Sequence, residues 1–324
     1  MKFGFVPTHL GFLDALVPDE SGRLPRDANG EMVVISGTRA VLENSSLPLN
    51  AIQISAFGNT LPEETDTLLS QMRALGLEPQ LVMMVGEVNP MDPADEDATV
   101  AQLLVNLQAA VRNDVKQVNS TSIEAWMAGE APQSEEEFHR RVEQNIKVHH
   151  RAYREAGLAD SCVENWNIEF LRPGEFANFT SLAKLRPIIS GLNQATGTKF
   201  FKALVDAAHC GDSGLSIPEN VKLIQSLADS DELGPFHCSA KTTRGALTTD
   251  EGWIGSLLAA AARTGKLTQV FVELFRHDDP ALQPLRDLDP GHGVDTTFGK
   301  EYTALVVSGL EDSAARLRHH GLLK

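Results

Sequence analysis

The feature that most constrains this chain is an alternation. Short β-rich runs and amphipathic helical runs follow one another along its 324 residues, the pattern of a parallel sheet covered by helices. Eight strands are expected: FGFVP from Phe3, AIQISAF from Ala51, QLVMMVG from Gln80, VKQVNST from Val115, SCVENWN from Ser161, ALVDAAH from Ala203, PFHCSA from Pro235 and QVFVELF from Gln269. Their near-continuous apolar character suits strands buried on both faces. Between them, Leu68, Leu69, Met72 and Leu75 follow Pro62 at helical spacing and stop at Gly76, and Val100, Leu103, Leu104 and Leu107 repeat the stripe. Ser134 with Glu137 reads as a capping box ahead of Phe138, Val142, Ile146 and Tyr153, with Gly157 as the stop. Val221, Ile224 and Leu227 form a shorter stripe. Trp253, Ile254, Leu257, Leu258 and Ala261 precede Gly265, and Tyr302, Leu305, Val306 and Leu310 close the chain.

Eight strands with intervening helices fit a closed (β/α)8 TIM barrel, an α/β fold that takes a chain of this length as one domain spanning 1–324. No Gly-rich fingerprint follows the first strand and no GxxxxGK[ST] loop occurs, which argues against an open dinucleotide- or nucleotide-binding sheet. Two long stretches, about 9–37 and 278–297, follow the first and last strands and would overlie the same mouth of the barrel, together with His9, His277 and His292.

Charge and composition narrow the function. The net charge of −16, with no basic stripe, repels phosphodiester backbones, so nucleic acid is not an expected partner. No apolar run is long enough for a membrane span, and MKFGFVPTHLGF lacks the cleavage site of a secretory signal, so a soluble, cytoplasmic protein is expected. Cys162, Cys210 and Cys238 form no CxxC pair and read as small buried thiols.

In a barrel, reactive groups gather at the carboxyl ends of the strands. The last four expected strands offer Glu164, Asp206, His237 and Glu273 there. Asp and Glu number 44 and His 10, so four consecutive strands would do this by chance about once in a thousand chains. Glu273 lies between Val272 and Leu274 and faces inward if they face outward, whereas Glu169, past the expected end of its strand, is the rival to Glu164. Three carboxylates and an imidazole meeting at a point make a divalent-cation site. That oxygen-rich set suits Mn²⁺, Mg²⁺ or Co²⁺, with Zn²⁺ also accommodated, and leaves positions for two substrate oxygens.

The same segments resemble the xylose isomerase-like barrels, the sugar phosphate isomerase/epimerase type, and among them the ketose 3-epimerases. VENWNIE at 163–169 resembles their Glu-bearing fifth strand, DAAH at 206–209 their Asp-x-x-His motif, FHCSAKTTR at 236–244 their seventh-strand His with a following Arg, and FVELF at 271–275 their closing Glu. The resemblance implies that Glu164, Asp206, His237 and Glu273 hold the metal and that Glu164 and Glu273 form the acid/base pair. It further implies that His209, Glu169 and Arg244 contact substrate; Trp166 reads equally as a sugar platform or as wall packing. NWNIE replaces the Asn-Arg-Phe-Glu-like run of the epimerases, which implies a different pocket.

The expected chemistry is proton transfer through a metal-stabilised ene-diolate on a sugar or polyol. Proton return to the opposite face gives epimerisation, and return to the neighbouring carbon gives isomerisation. Expulsion of a β-substituent gives a lyase or hydratase on keto-glycosides or inositol derivatives, the alternative reading. A non-catalytic sugar-binding barrel and an endonuclease IV-like barrel are the weaker rivals; the latter lacks the extra His ligands on the second and third strands. Relatives of this type often pair through their helices, so a homo-oligomer is an expectation of the resemblance.

Overall fold

Eight apolar strands each need two covered faces, and the chain meets that need by closing them into a ring. In the computed structural model, which describes residues 1–7, 13–240, 246–247, 252–275, 280–289 and 294–324, the strands are β1 (Lys2–Val6), β2 (Ala51–Ser55), β3 (Glu78–Met83), β4 (Gln117–Ser120), β5 (Asn165–Glu169), β6 (Phe201–Asp206), β7 (Leu233–Cys238) and β8 (Gln269–Glu273). They form a closed parallel barrel in sequence order, and β1 meets β8 in register from Lys2↔Gln269 to Val6↔Glu273. The architecture is the (β/α)8 barrel read from the alternation.

The covering helices are α1 (Leu13–Leu16), α2 (Val33–Asn44), α3 (Pro62–Ala74), α4 (Glu96–Arg112), α5 (Glu135–Glu155), α6 (Leu182–Thr196), α7 (Ala207–Asp212), α8 (Ile217–Asp229), α9 (Trp253–Arg263), α10 (Gln283–Leu288) and α11 (Tyr302–His319). Their buried stripes pack against the outward strand residues in one continuous core. Ser134 caps α5 by accepting from Glu137 N, while the Glu137 carboxylate accepts from Gln133 N, one residue before the cap. Of the two long stretches, the first contains α1 and the start of α2, and the second contains a 3-10 turn (Pro280–Leu282) and α10. Among the described residues no helix is long and apolar enough to cross a membrane.

The fifth strand departs from its expected position, and this matters for the site. Leu158–Asp160 is a 3-10 turn, Ser161–Glu164 only leads into the strand, and β5 begins at Asn165. Buried Val163 beside Cys162 imitates a strand start in sequence, yet it joins the main hydrophobic core ahead of the strand.

Inside the barrel a belt of amides replaces the usual branched aliphatics. Gln53 donates to Gln80 (3.2 Å), Gln80 to Gln269 (2.8 Å), Asn119 to Gln80 (3.0 Å) and Asn167 to Asn119 (2.9 Å). Each such bond contributes only about 1 kcal/mol net, but a buried amide left unpaired costs about 1–3 kcal/mol, so the belt is stable only when complete. Its completeness fixes the floor on which the candidate site rests.

Candidate active site

Four side chains converge above the amide belt at the carboxyl ends of consecutive strands: Glu169 closing β5, Asp206 closing β6, His237 in β7 and Glu273 closing β8. One ligand-type atom from each lies within 4.8 Å of the others. His237 Nδ1 stands 3.3 Å from Glu273 Oε2, 3.8 Å from Glu169 Oε1 and 3.9 Å from Asp206 Oδ2. Asp206 and His237 are fully buried, and Glu169 nearly so.

The surroundings fix how each group presents itself. His237 Nε2 is 2.8 Å from Gln53 Oε1; an amide oxygen only accepts, so Nε2 carries a proton, and Nδ1 is the ring nitrogen that faces the carboxylates, within hydrogen-bond distance of Glu273 Oε2. Asp206 divides its carboxylate: Oδ1 accepts from His209 N at 2.9 Å and caps α7, while buried Oδ2 has no hydrogen bond among the described residues and points at the cluster. Ser239 Oγ donates to the Glu273 backbone oxygen at 2.9 Å and lies 3.5 Å from its carboxylate. Glu273 faces the cavity between buried Val272 and Leu274. No Lys or Arg lines the cavity among the described residues. Three carboxylates clustered this closely repel one another, and a hard divalent ion matches both their donor set and their charge.

The remaining candidates divide. His209 lines the cavity, with Nε2 3.5 Å from Glu169 Oε1 and Nδ1 3.9 Å from Glu175 Oε2. Glu164 does not join the cluster. It is exposed at the amino end of β5, where its backbone N–H donates to Lys116 O, because the strand starts one residue after it. The inward carboxylate of this strand is Glu169, which takes the position expected of Glu164. Trp166 is turned out of the cavity, since strand alternation points Asn167 and Glu169 inward and Trp166 and Ile168 outward. Its indole donates to Ser120 Oγ at 2.8 Å and packs beside His149 and Phe201. Arg244, His9, His277 and His292 lie outside the described residues.

Two cavity residues lacked any periodic signal in sequence: Trp126, after β4, and Glu175, after β5. The loops that carry them are laced together. Trp126 Nε1 donates to Glu175 Oε1 (3.3 Å), and Met127 N donates to Glu175 O (2.8 Å). Beneath them the buried Glu124 carboxylate accepts from Ala177 N, Asn178 N, Asn178 Nδ2 and Phe179 N at 2.8–3.2 Å, fixing the second loop. A Cβ at Gly129 would sit 1.9 Å from Glu124 Oε1, so any larger residue there must displace that carboxylate from its bonds.

The cysteines stay outside this chemistry. Burial, then the nearby Asp206 and Glu169 charges, push the Cys210 thiol up; burial raises Cys238 to about 12, and it sits against Ser313 on the helix side of β7.

Fold and site together define a class: a (β/α)8 barrel with a carboxylate–imidazole cluster at the carboxyl ends of strands five to eight. Solved structures share the fold over nearly the whole chain. The D-psicose 3-epimerase of Clostridium cellulolyticum H10, solved with D-tagatose, is 15% identical, with TM-score 0.69 over 98% of this chain and 99% of its own. A putative sugar phosphate isomerase/epimerase of Anabaena variabilis gives 14% and TM-score 0.75, covering 98% of each chain. The IOLI protein, solved with a bound zinc atom, gives 15% and 0.59 over 99% and 98%. No protein-family model and no curated protein matches the sequence.

Proposed function

We propose that the chain, working as one domain, is a divalent-metal-dependent sugar isomerase or epimerase. The observation that carries this reading is the cluster itself, three carboxylates and one imidazole whose ligand atoms lie within 4.8 Å of one another at the carboxyl ends of β5 to β8. Solved epimerases of the same fold, one with a ketose bound, add support. Glu169, Asp206, Glu273 and His237 through Nδ1 would hold the ion, with Mn²⁺, Mg²⁺ or Co²⁺ favoured by the oxygen-rich set and Zn²⁺ compatible with it. When bound, the ion supplies Lewis-acid polarisation of a substrate carbonyl, which makes the adjacent C–H acidic enough to lose its proton.

The chain's own groups do the rest. Glu169 and Glu273 approach the cavity from strands three apart around the ring, so they address a bound sugar from different sides. One removes the proton from carbon and the other delivers one. Delivery to the opposite face of the same carbon epimerises it; delivery to the neighbouring carbon exchanges aldose for ketose. His209 and Glu175 offer hydrogen bonds to substrate hydroxyls, Trp126 offers a ring face, and Arg244 is a further proposed contact. The acidic lining favours an uncharged sugar over a phosphorylated one.

Deuterium uptake from D₂O tests this. Ketoses, aldoses, inososes and 3-keto-glycosides are incubated with Mn²⁺-loaded or chelated protein and weighed by mass spectrometry. Metal-dependent exchange at one carbon is expected. No exchange across the panel, in protein that holds metal, overturns the proposal.

A further inference from the structure

The cavity continues beyond the cluster. A groove opens from it past the carboxyl ends of β2, β3 and β4, and Ser55, Val82, Met84 and Trp126 line both spaces. The groove measures about 1250 Å³ against about 160 Å³ for the cavity, so a single sugar ring seated on the cluster leaves it empty.

Its chemistry is specific. Met84, Trp126 and Val105 are 40%, 37% and 48% exposed, and these apolar side chains from three separate parts of the chain meet in this one groove. Such convergence marks a binding surface, whereas scattered exposed apolar residues do not. Trp126 stands at the junction with its indole oriented by the bond to Glu175, so its ring is held in place. The charged residues of the groove are Glu87 and Asp95, with no Lys or Arg among the described residues, which disfavours phosphate, sulfate or nucleotide.

We propose that the groove binds a neutral second ring, a sugar or an aryl aglycone, joined covalently to the sugar that reacts at the cluster. The substrate is then a glycoside or disaccharide in place of a free monosaccharide. The assignment rests on the function proposed above for the site of reaction, but it makes a separate claim about binding.

The test uses the full-length, Mn²⁺-loaded protein and matched ligand pairs in isothermal titration calorimetry: D-fructose against its 4-O-glucosyl disaccharide, and methyl against phenyl 3-keto-glucoside. Val105→Arg, on the exposed face of α4 and remote from the cluster, places a long side chain in the groove. The longer member of one pair is expected to bind at least tenfold tighter, and V105R should remove that gain while leaving the shorter member unchanged. The pair that responds tells a sugar ring from an aryl ring. The proposal is overturned if neither pair shows the gain, if V105R weakens both members alike, or if V105R changes only the oligomeric state in sedimentation. Deuterium uptake on the same ligands separates the two claims. A V105R-sensitive preference without exchange leaves the groove standing and removes the isomerase reading; exchange without preference does the reverse.

Discussion

Asp206→Asn should stabilise the metal-free protein while weakening metal binding. Asparagine caps a helix as well as aspartate does, so the bond from His209 N to Oδ1 survives. The change removes one charge from a trio whose ligand atoms lie within 4.8 Å of one another. At an effective dielectric of about 20, each pair at that distance repels by about 3.5 kcal/mol, and the substitution removes two pairs. The gain is smaller than that sum, because side chains and water in the cavity rearrange to separate and screen the charges. The metal-free variant should therefore be more stable by about 2–4 kcal/mol. With Mn²⁺ at a hundred times its Kd, wild type gains about 2.7 kcal/mol, whereas a variant binding a hundredfold more weakly gains about 0.4. Urea denaturation followed by tryptophan fluorescence, with EDTA and with Mn²⁺, reads both quantities. A variant that loses stability equally in the two conditions would refute the reasoning, since Asp206 would then be only a buried cap.

Other expectations follow from the same geometry. Glu169→Gln should lower turnover at least a thousandfold and Glu164→Gln less than twofold, measured as deuterium uptake on an accepted sugar, because only Glu169 reaches the cluster. Gln53→Leu removes the acceptor that fixes the His237 tautomer and should weaken Mn²⁺ binding about 10–100-fold in competition titrations. Burial holds the His149 imidazole at about 4, below its ordinary value of 6.5, with Nδ1 donating to Asn145 O. The unfolded chain therefore binds a proton that the folded chain refuses between those two values. Stability should fall by up to about 3 kcal/mol as pH drops from 6.5 to 4, and His149→Gln should flatten that limb in pH-dependent urea denaturation. Gly129→Ala, by displacing Glu124, should cost about 2–3 kcal/mol and release amide protection at 177–179 in hydrogen exchange.

Much of this molecule was legible in its sequence, and the exceptions have physical causes. Periodicity marks eight strands because each is buried on both faces, although it begins the fifth four residues early, and it marks α3, α4, α5, α8, α9 and α11 by their apolar stripes. No stripe marks α2, α6 or the short α1, α7 and α10; α6 carries Pro187 in its interior, and its ends are marked by the Ser181 cap and by Gly197 at φ 67°. For the candidate cluster, strand ends point to Asp206, His237 and Glu273, whereas a fifth strand begun at Ser161 offers Glu164 where the fold brings Glu169 to the cluster. A signal for the correct register was present. Gln53, Gln80, Asn119 and Asn167 are polar residues inside apolar strands, and register pairs Gln53 with Gln80 and Asn119 with Asn167. Aligning the strands on these amides places Glu169 two residues beyond Asn167, on the inward face. Trp126 and Glu175 left no such trace, because they sit on loops whose shape depends on the buried Glu124 carboxylate and on bonds between the two loops.

Anomalous diffraction at the manganese edge from Mn²⁺-soaked crystals addresses the central claim most directly. The account predicts one strong peak at about 2.0–2.3 Å from oxygens of Glu169, Asp206 and Glu273 and from His237 Nδ1. No peak among these four groups, or a peak held through His237 Nε2, would contradict it.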